Sequence, residues 1–366
     1  MASLTDLPLR ADLVGREPYG APQLHVPIPL NVNENAHAVP AEVADDILGR
    51  VGDALATVNR YPDREFTELR EALAGYLGHG LTAPWIWAAN GSNEVIQHVL
   101  QAFGGPGRRA LGFPPTYSMH ANIATSTSTE WVTADRDPAF AVSPATAVAA
   151  IERLRPAVTF LCAPNNPTGT PVPLETVEAA YAATDGIVFV DEAYAEFMPA
   201  GAPSALTLLP GRERLVVSRT MSKAFAFAGA RLGYLAADPG LVDALRLVRL
   251  PYHLSALTQA AALGALAHAP VMLRMVDDLC VQRDRMAEGL RALGYTVWES
   301  WGNFLLFTGV EAPDDTWRGL LDRGVLIRDL AIPGGLRVSA GTAAETDAFL
   351  AALAEVGSPV SVDSRA

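Results

Sequence analysis

The sequence predicts an α/β protein: a mostly parallel central sheet covered by helices, with a smaller α+β region built from the two ends of the chain. Three observations carry this. Between about residues 60 and 250, short β-branched runs alternate with helix-like segments. Half of the 366 residues are apolar, which at this length supports a large core. After Pro251 the texture changes to long Ala/Leu-rich helices.

In chain order, residues 1–40 read as an extended, Pro-rich segment that cannot form a core alone. A helix is predicted over 63–77, with Asp63 capping its first turn. Trp85 and Trp87 read as core residues. Asn90-Gly91-Ser92-Asn93-Glu94 opens a helix whose apolar positions Val95, Ile96, Val99, Leu100 and Phe103 have helical spacing. Strands are predicted over 157–163, 187–190, 215–218 and 232–236, with a helix over 174–183. Helices follow at 256–267, 271–293 and 344–356. The first few residues and the polar tail 357–366 are expected to be disordered. The division expected is a large unit at 41–255 and a small one combining 1–40 with 256–366, joined through the helical segment near residues 255 to 290.

Composition narrows the function classes. A formal charge of −13, with no offsetting Lys/Arg cluster, opposes nucleic-acid binding and points to a small-molecule partner. No apolar stretch approaches the roughly 18 to 20 residues that span a bilayer, and the N-terminus lacks a secretory plan. A cytoplasmic location is expected. Cys162 and Cys280 are far apart, and the histidines form no H-x-x-x-H pattern, so no metal is expected.

Lys223 is the only lysine among 27 basic residues. Biased composition alone produces such scarcity, so the setting matters more: Ser222-Lys223 follows a predicted strand and precedes Gly229 and Arg231. Lysine is the side chain that condenses with an aldehyde cofactor. In open α/β sheets, ligands gather beyond the carboxyl ends of strands, where Pro164 to Gly169 and Asp191-Glu192-Ala193-Tyr194 also fall. Alone, each block has a plain reading. Asn166-Pro167-Thr168-Gly169 is a turn, Asp191-Glu192 a helix cap, and Tyr117 and Tyr194 core aromatics. Arg328 could pair with Asp329 at the surface, and His120 and His253 read as structural or hydrogen-bonded rather than as general bases.

Together these blocks carry a resemblance, joined by Asn33-Glu34-Asn35, Arg60-Tyr61-Pro62-Asp63, Pro115 to His120, Thr220 to Phe225, Pro251 to Ser255 and Leu336-Arg337-Val338-Ser339. Over nearly its whole length the chain is similar to the fold-type I, class-II pyridoxal-phosphate-dependent aminotransferases, and most similar to the histidinol-phosphate aminotransferase family. The resemblance implies that Lys223 holds pyridoxal 5'-phosphate and moves the proton in catalysis. It implies Asp191 at the ring nitrogen, Asn166 and Tyr194 at the ring oxygen, and Tyr117 on the ring face. Gly91, Ser92, Asn93, Ser222 and Arg231 would hold the cofactor phosphate, helped by Tyr61 from the neighbouring subunit of a homodimer. Tyr19, Asn33, Arg328 and Arg337 would bind substrate.

The implied reaction is transamination between L-histidinol phosphate and 2-oxoglutarate, giving imidazole-acetol phosphate and L-glutamate. An aromatic-amino-acid aminotransferase is the alternative, kept open by Ala36, where the family pattern has proline. A non-catalytic pyridoxal-phosphate-binding regulator is the remote one, since no basic DNA-reading domain precedes residue 30.

Overall fold

A computed structural model describes residues 6–16, 20, 22–330 and 332–360. Among the described residues, the N-terminal segment holds a short 3-10 turn (Ala11–Leu13) and the two-residue strand β1 (Ile28–Pro29). It leads through Pro40 into helix α1 (Ala41–Leu55). The helix expected from residue 63 begins later, as α2 (Thr67–Leu77), because Phe66 is buried in a left-handed conformation at φ 40°. Asp63 still caps it, accepting from the Thr67 N–H at 2.7 Å and the Glu65 N–H at 2.9 Å.

Strand β2 (Ile86–Ala89) buries Trp87 completely, while Trp85 just before it is half-buried against the same core. Gly91, at φ 86°, turns the chain from β2 into α3 (Ser92–Phe103). Alternation then continues through β3 (Arg109–Gly112), α4 (Ser118–Ser126), β4 (Glu130–Thr133), α5 (Pro144–Leu154), β5 (Val158–Cys162), α6 (Leu174–Ala182) and β6 (Ile187–Asp191). Strands β7 (Leu215–Thr220) and β8 (Gly233–Ala237) complete the series. The four predicted strands are present, with ends shifted by a residue or two. Every residue of β5 and β6 is buried, which is why they read as continuous apolar runs without alternation.

These seven strands form one sheet in the order β2-β8-β7-β6-β5-β3-β4. All neighbours are parallel except β8, which runs antiparallel to both β2 and β7. The carboxyl ends of β5, β6 and β7 therefore open on one edge, together with the loops that follow them.

Beyond β8 come α7 (Pro239–Arg246), α8 (Ala256–Ala267) and the long α9 (Ala269–Ala292). Helix α9 starts ahead of the expected residue 271, with Pro270 in the first turn, where a missing N–H does no harm. The rest is β9 (Thr296–Val297), β10 (Phe304–Thr308), α10 (Pro313–Asp322), β11 (Val325–Leu326), β12 (Arg328–Asp329), β13 (Gly335–Ser339) and α11 (Ala343–Val356). An antiparallel sheet runs β12-β13-β10-β9, and β1 pairs in parallel with β11.

The interior divides into two apolar clusters. The larger takes in the seven-stranded sheet, α8 and α9 as far as Leu279; the smaller gathers Leu30, Met286, Leu290, β10, β13 and α11. The tail is ordered further than expected. The Glu311 N–H donates to the Ser358 carbonyl at 2.9 Å and the Val360 N–H to Gly309 at 2.8 Å, so backbone bonding holds residues 357–360 without any apolar periodicity. Residues 1–5 and 361–366 lie outside the described residues. Among the described residues, no single helix is long and apolar enough to cross a membrane, and no cluster of His, Cys, Asp and Glu is placed to hold a metal.

Candidate active site

The carboxyl ends of β5, β6 and β7 face a cavity of about 900 Å³, closed on one side by the start of α3 and on the other by residues 22–34 and Arg337 of β13. Asp191 ends β6 and is buried. One of its oxygens, Oδ2, lies 2.9 Å from His120 Nε2; the other accepts from the Ala193 N–H at 3.2 Å and the Ser218 hydroxyl at 3.4 Å. His120 is itself fixed. It stacks on Phe160 at 4.6 Å and meets Tyr117 edge-on at 5.4 Å.

A second network joins the three layers of the wall. The Asn166 amide donates to the Tyr194 hydroxyl at 3.1 Å and the Asn33 amide donates to the same oxygen at 2.9 Å. Asn166 Oδ1 accepts from Arg337 Nη1 at 2.6 Å, while Arg337 Nη2 reaches the Asn31 carbonyl at 2.6 Å. Ser339 exchanges hydrogen bonds with Asn33 at 2.9 Å through both backbone and side chain. Burial pushes the Tyr194 phenol above its ordinary range, so it is neutral. With two amides occupying its acceptor side, its own O–H remains available as a donor.

Lys223 follows β7 across the short Met221-Ser222 step, and its Nζ donates to the Val32 carbonyl at 3.0 Å. Burial and the neighbouring Arg337 and Arg231 charges, opposed by Glu34, lower its pKa to about 8. Nearby is an anion-shaped corner. A Cβ on Gly91 would lie 2.5 Å from Arg231 Nη2, and one on Gly233 would lie 2.1 Å from the Ser92 nitrogen, so only glycine permits these approaches. Arg231, at φ 60°, is anchored to the Ala228 carbonyl at 3.0 Å. The Thr220 and Ser222 hydroxyls lie 3.0 Å apart, and Tyr117 donates to Asn93 Oδ1 at 3.0 Å. Helix dipole, backbone N–H groups, hydroxyls and a guanidinium thus converge on one place.

Asn33, Ser92, Asn93, Tyr117, Asn166, Asp191, Tyr194, Ser222, Lys223, Arg231 and Arg337 all line this one cavity, and Gly91 adjoins it beneath Arg231. Tyr61 does not. It is 79% exposed and stacks on Tyr252 at 4.4 Å, outside the cavity of its own chain. Arg328 does not line the cavity either, but it sits opposite Arg337 in the β12–β13 register, on the same face of that sheet. Tyr19 lies outside the described residues.

The sequence reading gives no role to Ser218 or the 22–25 wall, nor to Glu34 and Thr220 within their blocks, while His120, expected to be structural or hydrogen-bonded, is hydrogen-bonded to Asp191. Two signals were there to be used. Ser218 and Thr220 are two apart on one strand and so share a face, and His120 lies one helical turn beyond Tyr117.

The profile of the family described as "Aminotransferase class I and II" matches residues 26–353. A relative from Paenarthrobacter aurescens (strain TC1), named histidinol-phosphate aminotransferase, is 60% identical over 353 residues, 96% of this chain and 95% of its own. One of the same name from Thermobifida fusca (strain YX) is 55% identical over 351 residues, 96% of each chain. Among solved structures, histidinol-phosphate aminotransferase from Sinorhizobium meliloti in complex with pyridoxal-5'-phosphate superposes with a TM-score of 0.81 at 25% identity, over 90% of this chain and 91% of that one.

Proposed function

The chain belongs to the class I and II aminotransferase family, and from that membership we propose that it transaminates L-histidinol phosphate with 2-oxoglutarate, giving imidazole-acetol phosphate and L-glutamate. The observation that carries the reading is the meeting of Lys223, the chain's one lysine, with buried Asp191 and the Gly91–Arg231 corner in a single cavity.

The residues fit pyridoxal phosphate. The corner where a Gly91 Cβ would strike Arg231 offers a phosphate its donors, and Asp191 offers a pyridinium nitrogen its carboxylate. When bound, the cofactor supplies an aldehyde that condenses with amines and a ring that draws electrons from the bond being broken. Gly91, Ser92, Asn93, Ser222 and Arg231 would hold its phosphate. Asp191, steadied by His120 and Ser218, would keep the ring nitrogen protonated. The Tyr194 hydroxyl and the Asn166 amide would serve the ring oxygen, and Tyr117 the ring face. Lys223 Nζ would hold the aldehyde end and, once displaced by the incoming amine, carry a proton between the two carbons.

Both substrates are anions, and Arg337 is the buried guanidinium on the cavity wall. Arginine's fork suits phosphate and carboxylate alike, so one group can serve both half-reactions. Asn33, Tyr19 and Arg328 are the further substrate contacts we assign. The large unit at 41–255 and the small unit of 1–40 with 256–366 remain our division of the chain, with substrate bound between them. A homodimer is the assembly we infer: Tyr61, exposed in its own chain, would complete the phosphate site of the partner. A cytoplasmic location accords with free Cys162 and Cys280.

Single-turnover titration of the cofactor-loaded protein with histidinol phosphate and, separately, phenylalanine tests the substrate. The absorbance change should show a large rate-over-affinity advantage for histidinol phosphate. Faster conversion by phenylalanine would make the protein an aromatic-amino-acid aminotransferase instead.

A further inference from the structure

Behind the cavity, a charged group outside the assigned set ties two of its loops together. Arg136 lies in the loop after β4, and each of its three guanidinium nitrogens donates a hydrogen bond. Nε donates to the Phe113 carbonyl at 2.7 Å, Nη1 to the Phe140 carbonyl at 2.9 Å, and Nη2 to Asn165 Oδ1 at 2.8 Å. No ion pair to a carboxylate is formed by Arg136 among the described residues. Burial lowers its pKa to about 10, which still leaves it cationic at neutral pH. A partly buried cation whose hydrogen bonds go to neutral oxygens, with the Asp137 charge nearby, is a costly arrangement to keep for folding alone.

Its third partner explains what it does. Asn165 is fully buried and makes four side-chain contacts. Oδ1 also accepts from the Thr116 hydroxyl at 3.1 Å, while Nδ2 donates to the Pro115 carbonyl at 2.9 Å and to Thr168 Oγ1 at 2.7 Å. One amide thus bridges the 113–117 loop, which ends in Tyr117, to the 164–170 loop, which carries Asn166. Arg136 binds the base of the first loop at Phe113 and the bridge itself at Asn165.

We propose that Arg136 is a positioning residue for the transamination, fixing through Asn165 the spacing between Tyr117 and Asn166. It touches neither substrate nor cofactor. The proposal rests on the function assigned above, and it concerns the placement of the ring face and the ring-oxygen donor. A donor to the ring oxygen stabilises its anionic form, so a displaced Asn166, with its partner Tyr194, raises the pH at which the bound cofactor's absorbance changes.

The test compares wild type, Arg136→Met, Arg136→Lys and Thr116→Val by pH titration of bound-cofactor absorbance, by cofactor dissociation constant and by thermal unfolding. Thr116→Val keeps the side-chain shape and deletes one hydrogen bond of the same bridge, so it decides the matter if Arg136→Met does not fold. Arg136→Met should raise the cofactor dissociation constant about tenfold, the scale of one lost charge-assisted hydrogen bond, and move the midpoint upward. Arg136→Lys, with charge but no fork, should fall between, and Thr116→Val should move the midpoint in the same direction by less. Thr342→Ala, a remote helix-cap variant, should lower the unfolding temperature and leave the midpoint where it was. Variants that lose stability but keep the wild-type midpoint would overturn the role of Arg136. Absence of a cofactor band in the wild type would sink the functional assignment itself, a distinguishable result.

Discussion

Lys223 sits where three effects meet: removal from water, two nearby guanidiniums, and one opposing carboxylate. The sign of the consequence is definite. Its pKa falls from the ordinary 10.5 to about 8, so the neutral, nucleophilic amine grows about tenfold per pH unit below 8 and levels off above it. Capture of pyridoxal phosphate by the cofactor-free chain should follow that curve in stopped-flow absorbance; a rate still climbing tenfold per unit beyond pH 9 would contradict it. Between about 8 and 10.5 the native state binds fewer protons than the unfolded one, so the cofactor-free fold gains stability as pH rises there. Lys223→Ala should abolish steady-state turnover. Legibility at this scale divided sharply. Lys223, Asp191 and Asn166 could be read because their neighbours in sequence are also their neighbours in the site. Ser218, Arg136 and Asn165 act through loops and strands far apart in the chain, and hydrogen bonds between distant segments leave no local pattern.

Among the elements, the strands that end at the cavity and the mostly parallel plan of their sheet were legible, and the reversal of β8 was not. β5 and β6 announce themselves by unbroken burial, whereas β8 has the same apolar texture yet runs the other way. Direction depends on the connection between strands, and here the stretch from β7 to β8 holds Lys223 and Arg231 in place of a crossover helix. The start of α2 was misread for a related reason. Asp63 satisfies N–H groups in a turn as readily as in a helix, and left-handed Phe66 decides between them. Helix α11 shows a cap that can be tested. The Thr342 N–H donates to Glu345 Oε2 at 2.7 Å, and the Glu345 N–H donates back to Thr342 Oγ1 at 3.3 Å. Thr342→Ala should therefore destabilise the protein by about 1 kcal/mol in a denaturant titration; a loss near zero would show that the packing of Phe349 and Leu353 holds the helix without its cap.

For the whole molecule, the stacked pair Tyr61–Tyr252 on the surface makes the proposed dimer testable without an interface in view. Tyr61→Phe and Lys223→Ala chains, unfolded and refolded together, should form hybrids in which one of the two sites is intact. If sites are shared across a two-fold axis, random mixing restores about a quarter of native sites, while self-contained subunits would regain none beyond the Tyr61→Phe background. The change of texture after Pro251 outlines the two-part plan we propose and puts its joint in the helical segment near residues 255 to 290. Helix α9 lies there. It carries Leu279 in one apolar cluster and Met286 in the other, about 10 Å further along an unbroken rod. Swinging the smaller part away would mean bending that rod, with its ladder of main-chain bonds. The strip at 22–34, docked by a strand of two residues and a few polar contacts, is the cheaper door. Substrate traffic through this enzyme should thus be governed by the outer part of that strip, and stiffening residues 23–25, which wall the cavity but carry none of the assigned groups, should change entry and release rates while the chemistry behind them stays as fast as before.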